Sequence, residues 1–186
     1  MDIALALLTP LWLLWPAMVS NSFAVILGGG LPMDFGKSWK GKRIFGDGKT
    51  WCGFVAGIFF SILVGIAQMM LSEPFSATHY GFGTYEEAVP YFAVISIGAL
   101  LGDCMGAFIK RRLGIPRGGK APGLDQYDFF VVAVLFAFVA KPDWFTSYFV
   151  NDYFWLGTLL LIVLIPVLHR LFNIIGYKLG KKHVPW

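Results

Sequence analysis

Long stretches without charged side chains dominate the chain. Residues 3–28 and 51–71 contain no Asp, Glu, Lys or Arg, and residues 88–109 contain only Asp103. A helix needs roughly 20 apolar residues to cross a bilayer, and each of these stretches is long enough. None of them alternates polar and apolar positions as a transmembrane β-strand does. The pattern therefore predicts membrane-spanning helices.

Two further apolar stretches are less regular. Residues 129–140 are uncharged but short for a span, so a re-entrant segment is the alternative, although Trp144 and Phe145 extend the apolar character past Pro142. Residues 153–168 are uncharged and reach span length with their flanks. We predict an all-α, polytopic integral membrane protein with five transmembrane helices. The single membrane domain, residues 1–186, would contain spans 3–27, 51–71, 88–109, 127–145 and 153–172, with functional cytoplasmic loops 28–50 and 110–126.

Composition agrees with this pattern. Of the 186 residues, 57% are hydrophobic and only 14% are charged, whereas soluble domains carry about 25% charged residues. The mean hydropathy is +0.67. These values exclude a water-soluble globule, a disordered tail and a nucleic-acid-binding domain. They leave the oligomeric state open.

The basic residues lie almost entirely on one side of the predicted spans. Five spans place 14 of the 15 Lys and Arg residues in loops 28–50 and 110–126 and in the C-terminal tail, and leave Lys141 alone on the other side. If the fourth span did not cross, the division would be 10 to 5. Because cytoplasmic loops carry the excess of Lys and Arg, we expect an outside N-terminus and a cytoplasmic C-terminus in the cell membrane.

The two basic segments also carry glycines and carboxylates. Residues 28–54 and 102–129 contain ten of the fifteen basic residues and five of the eleven acidic ones. Topology alone explains the cations but not the acids or the glycines, which suit a backbone that closely approaches phosphate oxygens. Gly48-Lys49-Thr50 is similar to the end of a P-loop, but Arg43 stands where that motif needs its first glycine. We expect phosphate binding without a P-loop.

Three carboxylates are the candidate metal ligands. Asp103 lies inside an apolar stretch, where ionisable residues usually mark a functional site, although an ion pair with Lys110 or Arg111 is an alternative. Asp125 and Asp128 share one helical face, although an acidic first turn that complements the helix dipole is also possible. Oxygen ligands without a Cys or His cluster favour Mg²⁺ over zinc. Together with the cations, they indicate phosphoryl or nucleotidyl transfer to a lipid-embedded substrate.

The motifs of both loops, taken in order, resemble a known family. The motifs that carry the resemblance are Pro32-Met33-Asp34-Phe35-Gly36-Lys37, Arg43-Ile44-Phe45-Gly46-Asp47-Gly48-Lys49-Thr50-Trp51, Gly102-Asp103, Ile109-Lys110-Arg111-Arg112 and Asp125-Gln126-Tyr127-Asp128-Phe129. They are similar to the loops of archaeal CDP-archaeol synthases, which are relatives of the phosphatidate cytidylyltransferases. One departure is Ala107, which occupies a position where the wider cytidylyltransferase signature has a serine.

The resemblance implies a reaction. CTP and an isoprenoid ether-lipid phosphate, 2,3-bis-O-geranylgeranylglycerol 1-phosphate, would give CDP-archaeol and pyrophosphate among the membrane lipids. It implies Mg²⁺ bound by Asp103, Asp125 and Asp128, with Lys110 and Arg111 as further catalytic residues. The nucleotide-binding residues it implies are Asp34, Lys37, Arg43, Gly48, Lys49, Thr50 and Arg112.

Two other functions compete with this one. A CDP-alcohol phosphotransferase would also act on lipids, but its longer spacing of aspartates is absent, since Asp125 and Asp128 are three residues apart. A small transporter would place its charges near the bilayer midplane on broken helices. Here most charges lie in the cytoplasmic loops and tail, and five spans are few for a transporter. Both functions are therefore the weaker hypotheses.

Overall fold

The long apolar stretches of the sequence fold into helices. The computed structural model describes residues 3–76 and 78–180. Within these residues the α-helices are α1 (Ile3–Ile26), α2 (Trp51–Ser72), α3 (Tyr85–Arg112), α4 (Leu124–Ala140), α5 (Pro142–Phe149) and α6 (Phe154–Lys178). Two short strands, β1 (Ser38–Trp39) and β2 (Lys42–Arg43), lie between α1 and α2. A 3₁₀ turn, His79–Gly81, precedes α3.

Four helices in the described part of the chain are long and apolar enough to cross a membrane: α1, α2, α3 and α6. The expected helical membrane architecture is therefore present. The helix expected at 127–145 is divided instead, because Lys141 leaves the helical conformation at φ −143° and Pro142 begins α5. This leaves α4 with 17 residues.

The third helix is longer than expected at both ends. The predicted span was 88–109, but α3 begins at Tyr85 and ends at Arg112. Lys110, Arg111 and Arg112 therefore lie in its last turn and not in loop 110–126. Cations are favoured at a helix C-terminus, because they interact with the unpaired carbonyl groups there. The basic cluster that indicated a loop thus also stabilises the end of the helix.

Small residues let α2 pack closely on α1. Gly53, Gly57, Ser61 and Gly65 recur every four residues along one face of α2 and are buried. A Cβ atom on Gly57 would lie 2.8 Å from the Ser20 carbonyl oxygen, so only glycine fits there. The Ser61 hydroxyl donates to the α1 backbone at 2.7 Å. Close approach through small residues is a common way for membrane helices to associate.

A second series of glycines brings α4 against α3 and positions the candidate site. Gly98, Gly102 and Gly106 are four residues apart on α3. A Cβ atom on Gly102 would lie 2.3 Å from the Asp128 carbonyl oxygen, and one on Gly106 would lie 1.9 Å from Asp128 Oδ2. The carboxylate of Asp128 therefore occupies the space that Gly106 leaves on the surface of α3.

The strands form a small antiparallel hairpin at the same end of the helices. Ser38 pairs with Arg43, and Trp39 pairs with Lys42. The intervening Lys40 and Gly41 both take positive φ, 51° and 74°, as a type I′ turn requires. The hairpin lies against the last turn of α3, because Lys42 Nζ donates to a carbonyl oxygen there at 3.3 Å.

Candidate active site where the two loops meet

Lys49 and Asp103 form the centre of the candidate site. They lie 54 residues apart in sequence. Their ion pair joins the loop before α2 to the C-terminal half of α3. Their side chains are 21% and 32% exposed. Burial works to lower the pKa of Lys49, but the charge of Asp103 and its hydrogen bond outweigh that effect and raise the pKa. Lys49 is therefore cationic at neutral pH. The expected alternative partners of Asp103, Lys110 and Arg111, do not pair with it.

Asp128 joins this pair from α4. Its carboxylate lies near enough to Asp103 and Lys49 to interact electrostatically with both. One of its oxygens accepts a hydrogen bond from the Phe129 N–H group at 2.7 Å, and no other hydrogen bond to this carboxylate is formed among the described residues. The structure thus brings two of the three predicted metal ligands together.

Asp125, the third predicted ligand, has other partners. One of its carboxylate oxygens accepts from Lys110 Nζ at 2.8 Å, and the other accepts from the Ala121 N–H group at 2.7 Å. Both carboxylate oxygens of Asp125 therefore already accept a hydrogen bond from the protein, one from α3 and one from the loop before α4. Across residues 3–76 and 78–180, no three His, Cys, Asp or Glu side chains converge in a way that could hold a metal ion.

Asp34 organises the first loop from a buried position. Its carboxylate accepts two hydrogen bonds from Arg43, from Nε at 3.2 Å and from Nη2 at 2.7 Å. It also accepts from the N–H groups of Gly36, Phe45 and Gly46 at 3.0, 3.0 and 2.9 Å. Burial works to raise the pKa of Asp34, but Arg43 and these N–H groups hold it well below its usual range.

Arg43 is bound on both sides by carboxylates. Besides Asp34, it donates to Asp47 at 2.7 Å, and the hydrogen bonds to the two carboxylates raise its pKa above the usual value. Asp34 and Arg43 were predicted to bind the nucleotide directly. In the structure their side chains pair with each other within the loop, and this ion pair shapes the segment from Phe45 to Lys49.

Thr50 fixes the point where the first loop enters α2. Its hydroxyl oxygen accepts from the Gly53 N–H group at 3.2 Å, which caps the helix, and from the Gly29 N–H group at 3.1 Å. Next to it, the Lys49 carbonyl oxygen accepts from the Met33 N–H group at 2.7 Å. These bonds hold the backbone of Lys49, so its side chain is directed from a rigid base.

Two guanidinium groups face the glycines of the first loop without a carboxylate partner in the described chain. A Cβ atom on Gly46 would lie 3.7 Å from Arg111 Nε, and one on Gly48 would lie 3.7 Å from Arg117 Nε. Arg111 also donates to the Ile115 carbonyl oxygen. The two cations are close enough to repel each other. Arg111 Nε also donates to the Phe45 carbonyl oxygen at 3.5 Å. Two guanidinium groups that have no carboxylate partner and lie beside glycine backbone form a site suited to an anion.

Arg117 is the residue that the sequence interpretation missed. It lies in the loop between α3 and α4, between Pro116 and Gly118, whose φ is +79°. The restricted backbone of Pro116 and Gly118 limits the directions that the Arg117 side chain can take. This restriction was the sequence feature that could have indicated a functional role for Arg117. Which part of the first loop it would face depends on the tertiary fold.

Arg112 and Lys37 form no hydrogen bond or ion pair with Lys49, Asp103 or Asp128 in the described chain. The Arg112 guanidinium donates to the carbonyl oxygens of Lys42 at 2.9 Å and Arg43 at 2.7 Å, and also to that of Trp39, so it attaches the hairpin to α3. The Lys37 side chain is exposed, and it forms no ion pair with any described residue. Its backbone N–H group donates to the Asp34 carbonyl oxygen at 2.8 Å.

A small cavity of about 30 Å³ reaches Lys49 and Asp103 between α1, α2 and α3. This is room for about two water molecules. A nucleotide does not fit inside it. Gly48, which lines this cavity, also lies beside the Arg117 guanidinium.

Comparison with known proteins connects this geometry to a family. The sequence model of the CarS-like family, described as CDP-archaeol synthase, matches residues 3–186. The chain belongs to this family. The CDP-archaeol synthase of Pyrococcus horikoshii is 41% identical over 181 residues, which cover 97% of each chain. That of Methanosarcina mazei is 42% identical over 178 residues, 92% of this chain and 99% of that one.

A solved structure shares the fold. It is described as "Structural insight into an intramembrane enzyme for archaeal membrane lipids biosynthesis", and it is 33% identical to this chain with a TM-score of 0.64. The match covers 87% of this chain and 94% of that one. Family membership confirms the predicted CDP-archaeol synthase, a multi-pass membrane transferase of archaeal lipid biosynthesis. It gives no support to the phosphotransferase or transporter hypotheses.

Proposed function

We propose that this enzyme transfers the cytidylyl group of CTP to 2,3-bis-O-geranylgeranylglycerol 1-phosphate and releases pyrophosphate. One observation carries the proposal within the chain. The Lys49, Asp103 and Asp128 side chains lie together at one end of the helices, beside the guanidinium groups of Arg111 and Arg117, which have no carboxylate partner in the described chain. This arrangement combines cations for phosphates with carboxylates for a divalent ion next to the apolar surface that a lipid needs.

The triphosphate of CTP would bind over the turn that contains Gly46 and Gly48. The absence of Cβ atoms there lets Arg111 and Arg117 lie close to the backbone. A guanidinium group presents several N–H donors in a fixed plane that matches phosphate oxygens. Because the two cations repel each other without a ligand, an anion between them would relieve that repulsion. Lys49 would extend the same cationic surface toward Asp103.

The donor set of the site fits Mg²⁺. This ion usually takes one or two carboxylates together with substrate phosphates and water, and Asp103 and Asp128 are two neighbouring carboxylates. The nearby Cys104 thiol donates instead to Met33 Sδ at 3.8 Å. We propose that these two residues would hold it, and the bound ion would neutralise charge on the triphosphate. Asp125 would belong to the site through Lys110, whose ammonium group it holds at 2.8 Å.

The chain's own residues would position both substrates and balance the charge of the reaction. A bond forms between a lipid phosphate oxygen and the α-phosphorus of CTP, while the bond from that phosphorus to the β-phosphate bridging oxygen breaks. The electron pair leaves with pyrophosphate, where Arg111 and Arg117 would stabilise the added charge. Lys110, aligned by Asp125, would attract the lipid phosphate. No proton transfer is required, because a phosphate monoester is already ionised at neutral pH.

We further propose five membrane crossings, in which α4 crosses the membrane in addition to α1, α2, α3 and α6. Its 17 residues extend about 25 Å, slightly less than a hydrocarbon core, and local thinning of the bilayer can accommodate this difference. The separation of Lys and Arg supports the crossing and a cytoplasmic site. Of the tail residues counted in that separation, Lys181 and Lys182 lie outside the described residues.

The reaction is tested with purified enzyme, the lipid phosphate and CTP labelled on its α-phosphate. We expect the label to enter the organic phase with one pyrophosphate released per labelled lipid. CTP labelled on the γ-phosphate is the matched control and should leave no label in the lipid. Incorporation that depends on an added free alcohol, or lipid labelling from the γ-phosphate, would contradict the proposal.

A further inference from the structure

A second cationic cleft lies between the hairpin and the last turns of α3. It has a volume of about 530 Å³ and is lined by Trp39, Lys40, Lys42, Phe108 and Arg112. We refer to these five residues as the hairpin cleft. Successive helix residues point in directions about 100° apart, so Arg111 and Arg112 face different sides of α3. Arg111 faces Gly46 in the candidate active site, whereas Arg112 faces the hairpin.

The cleft combines an aromatic platform with cations. The rings of Trp39 and Phe108 stack with centroids 5.6 Å apart and an angle of 14°. The Arg112 guanidinium carbon lies 5.4 Å from the Trp39 ring and 5.2 Å from the Phe108 ring. Lys40 Nζ lies 5.5 Å from the same Trp39 ring. The cleft is therefore apolar on one wall and positively charged around it.

No carboxylate neutralises these cations within the described chain. The ion pairs there join other residues, and Lys40, Lys42 and Arg112 take part in none of them. Arg112 Nε is buried and lacks a hydrogen-bond partner, although its other nitrogens bind carbonyl oxygens. The cleft thus carries three positive charges and is complementary to an anion.

Lys40 is held in place against its conformational preference. It takes φ 51° at the first turn position, where Asn, Asp or Gly is favoured. The left-handed conformation is unfavourable for an ordinary L-residue, because Cβ comes too close to the following carbonyl oxygen. Lysine at this position weakens the turn. We therefore look for the role of Lys40 in its positive charge and not in the conformation of the hairpin.

The apolar wall continues onto the lipid-facing side of α3. Met105 and Ile109 lie one turn apart beside Phe108 and are 54% and 38% exposed. Trp39 is 50% exposed at the level of the last turn. Tryptophan rings with neighbouring Lys or Arg side chains are typical of the membrane–water interface. The cleft therefore lies where a phospholipid has its headgroup beside the protein and its chains along α3.

We propose that the hairpin cleft binds the phosphate headgroup of an anionic phospholipid of the surrounding bilayer. Lys40 and Lys42 contact the headgroup, Arg112 adds its positive charge beside them, and the part of a lipid chain nearest the headgroup lies on Phe108, Met105 and Ile109. The bound lipid holds the hairpin at the membrane surface. Because Arg112 also bonds to the Arg43 carbonyl oxygen at 2.7 Å, the lipid supports the first loop from outside the active site. This site does not depend on the reaction proposed above.

Lys40→Asn is a sharp test, because it removes the charge and improves the turn. Asn-Gly is the preferred dipeptide of a type I′ turn, so the variant keeps the hairpin. The full chain in detergent is titrated with phosphatidylglycerol, and bound lipid is counted by native mass spectrometry. A lysine near a membrane surface contributes about 1 kcal/mol to anionic lipid binding, so we expect affinity about fivefold weaker in the variant. Phosphatidylcholine should bind poorly to both proteins.

Lys178→Gln is the matched control, since it removes one exposed cation from the end of α6 and should leave the affinity for phosphatidylglycerol unchanged. Unchanged affinity in Lys40→Asn would overturn the proposal, as would equal binding of the two lipids by the parent chain. A tenfold preference for the substrate lipid phosphate over phosphatidylglycerol would assign the cleft to substrate and also overturn it. Lipid binding is measured without CTP, so the result is separate from the proposed reaction.

Discussion

A carboxylate that shapes a loop and one that receives a ligand differ in how many of their lone pairs the protein already uses. Asp34 accepts five hydrogen bonds and is buried. Asp128, in contrast, accepts one hydrogen bond in the described chain, from the Phe129 N–H group. The sequence shows two aspartates in glycine-rich or basic surroundings and does not distinguish these roles. The distinction comes from contacts between segments up to twelve residues apart in the first loop.

The loop role of Asp34 gives a prediction about stability and pH. Asp34→Asn removes the charge that pairs with Arg43, and we expect a melting temperature several degrees lower. Because the pKa of Asp34 is lower in the folded loop than its usual 3.8, its contribution is fully present above about pH 4. It is lost as the pH falls below that value. Melting temperatures of parent and variant should therefore differ most above pH 4 and begin to approach each other toward pH 3, without becoming equal there, because the folded-state pKa lies lower still.

The same experiment includes a readout that a ligand role would change. If Asp34 acts only by shaping the loop, the Mg²⁺ concentration for half-maximal activity should stay unchanged in Asp34→Asn while turnover falls. A shifted Mg²⁺ response with an unchanged melting temperature would mean that Asp34 contacts the metal or the nucleotide.

The three predicted metal carboxylates should separate into two classes. Asp103→Asn and Asp128→Asn each remove a charge from the proposed metal pair, and we expect each to lose most activity and to need about tenfold more Mg²⁺. Asp125→Asn loosens Lys110 instead, so it should weaken lipid-phosphate binding with little change in the Mg²⁺ requirement. Mg²⁺ titrations of purified variants, with melting curves beside them, measure both effects.

One result would favour an ordinary ion pair over a metal site. If Asp103→Asn lowered the melting temperature and left the Mg²⁺ titration unaltered, Asp103 would serve only to balance Lys49. A raised Mg²⁺ requirement in Asp125→Asn equal to that of the other two would restore all three residues as ligands.

Arg117 should affect nucleotide binding without affecting the fold. Its side chain is exposed in the loop between α3 and α4, so Arg117→Ala leaves helix packing intact. We expect the KM for CTP to rise about tenfold in this variant. Arg117→Lys keeps the charge but loses the planar donors and should recover part of the affinity. Arg170→Ala, at an exposed position on α6, is the control and should leave the KM unchanged. Equal KM values for Arg117→Ala and parent would exclude the triphosphate role.

At the scale of elements, charge-free stretches were sufficient to predict helices, because a membrane span needs little beyond length and apolar character. Their ends were harder to predict. The basic residues at 110–112 suit both a loop and a helix C-terminus, and α3 continues through them. Pro142 was a visible signal for the break after α4, but the apolar Trp144 and Phe145 obscured it. The pairing of Lys49 with Asp103 depends on how α2 and α3 pack, which no local pattern reports.

The α3–α4 contact predicts a selective effect of adding one methyl group. A Cβ atom on Gly106 would overlap Asp128 Oδ2, so Gly106→Ala should displace that carboxylate, lower activity at least tenfold and raise the Mg²⁺ requirement. Gly98→Ala is the matched control on the same helix, where the Cβ atom would lie 2.9 Å from the Phe136 side chain. We expect it to lower the melting temperature without changing the Mg²⁺ requirement. Equal Mg²⁺ responses in the two variants would contradict the proposed position of Asp128.

For the whole molecule, the side of the membrane on which α6 ends depends on whether α4 crosses the bilayer. With five crossings, the end of α6 lies in the cytoplasm, and the loop before α3 lies outside. In a Cys52→Ser, Cys104→Ala background, we expect Lys178→Cys to react with an impermeant maleimide only after cells are permeabilised. Thr78→Cys, exposed between α2 and α3, should react in intact cells and is the control for access. Labelling of Lys178→Cys in intact cells would place α4 on one side of the membrane. The proposed orientation would then fail, while the cluster of Lys49, Asp103 and Asp128, which depends only on helix packing, would remain.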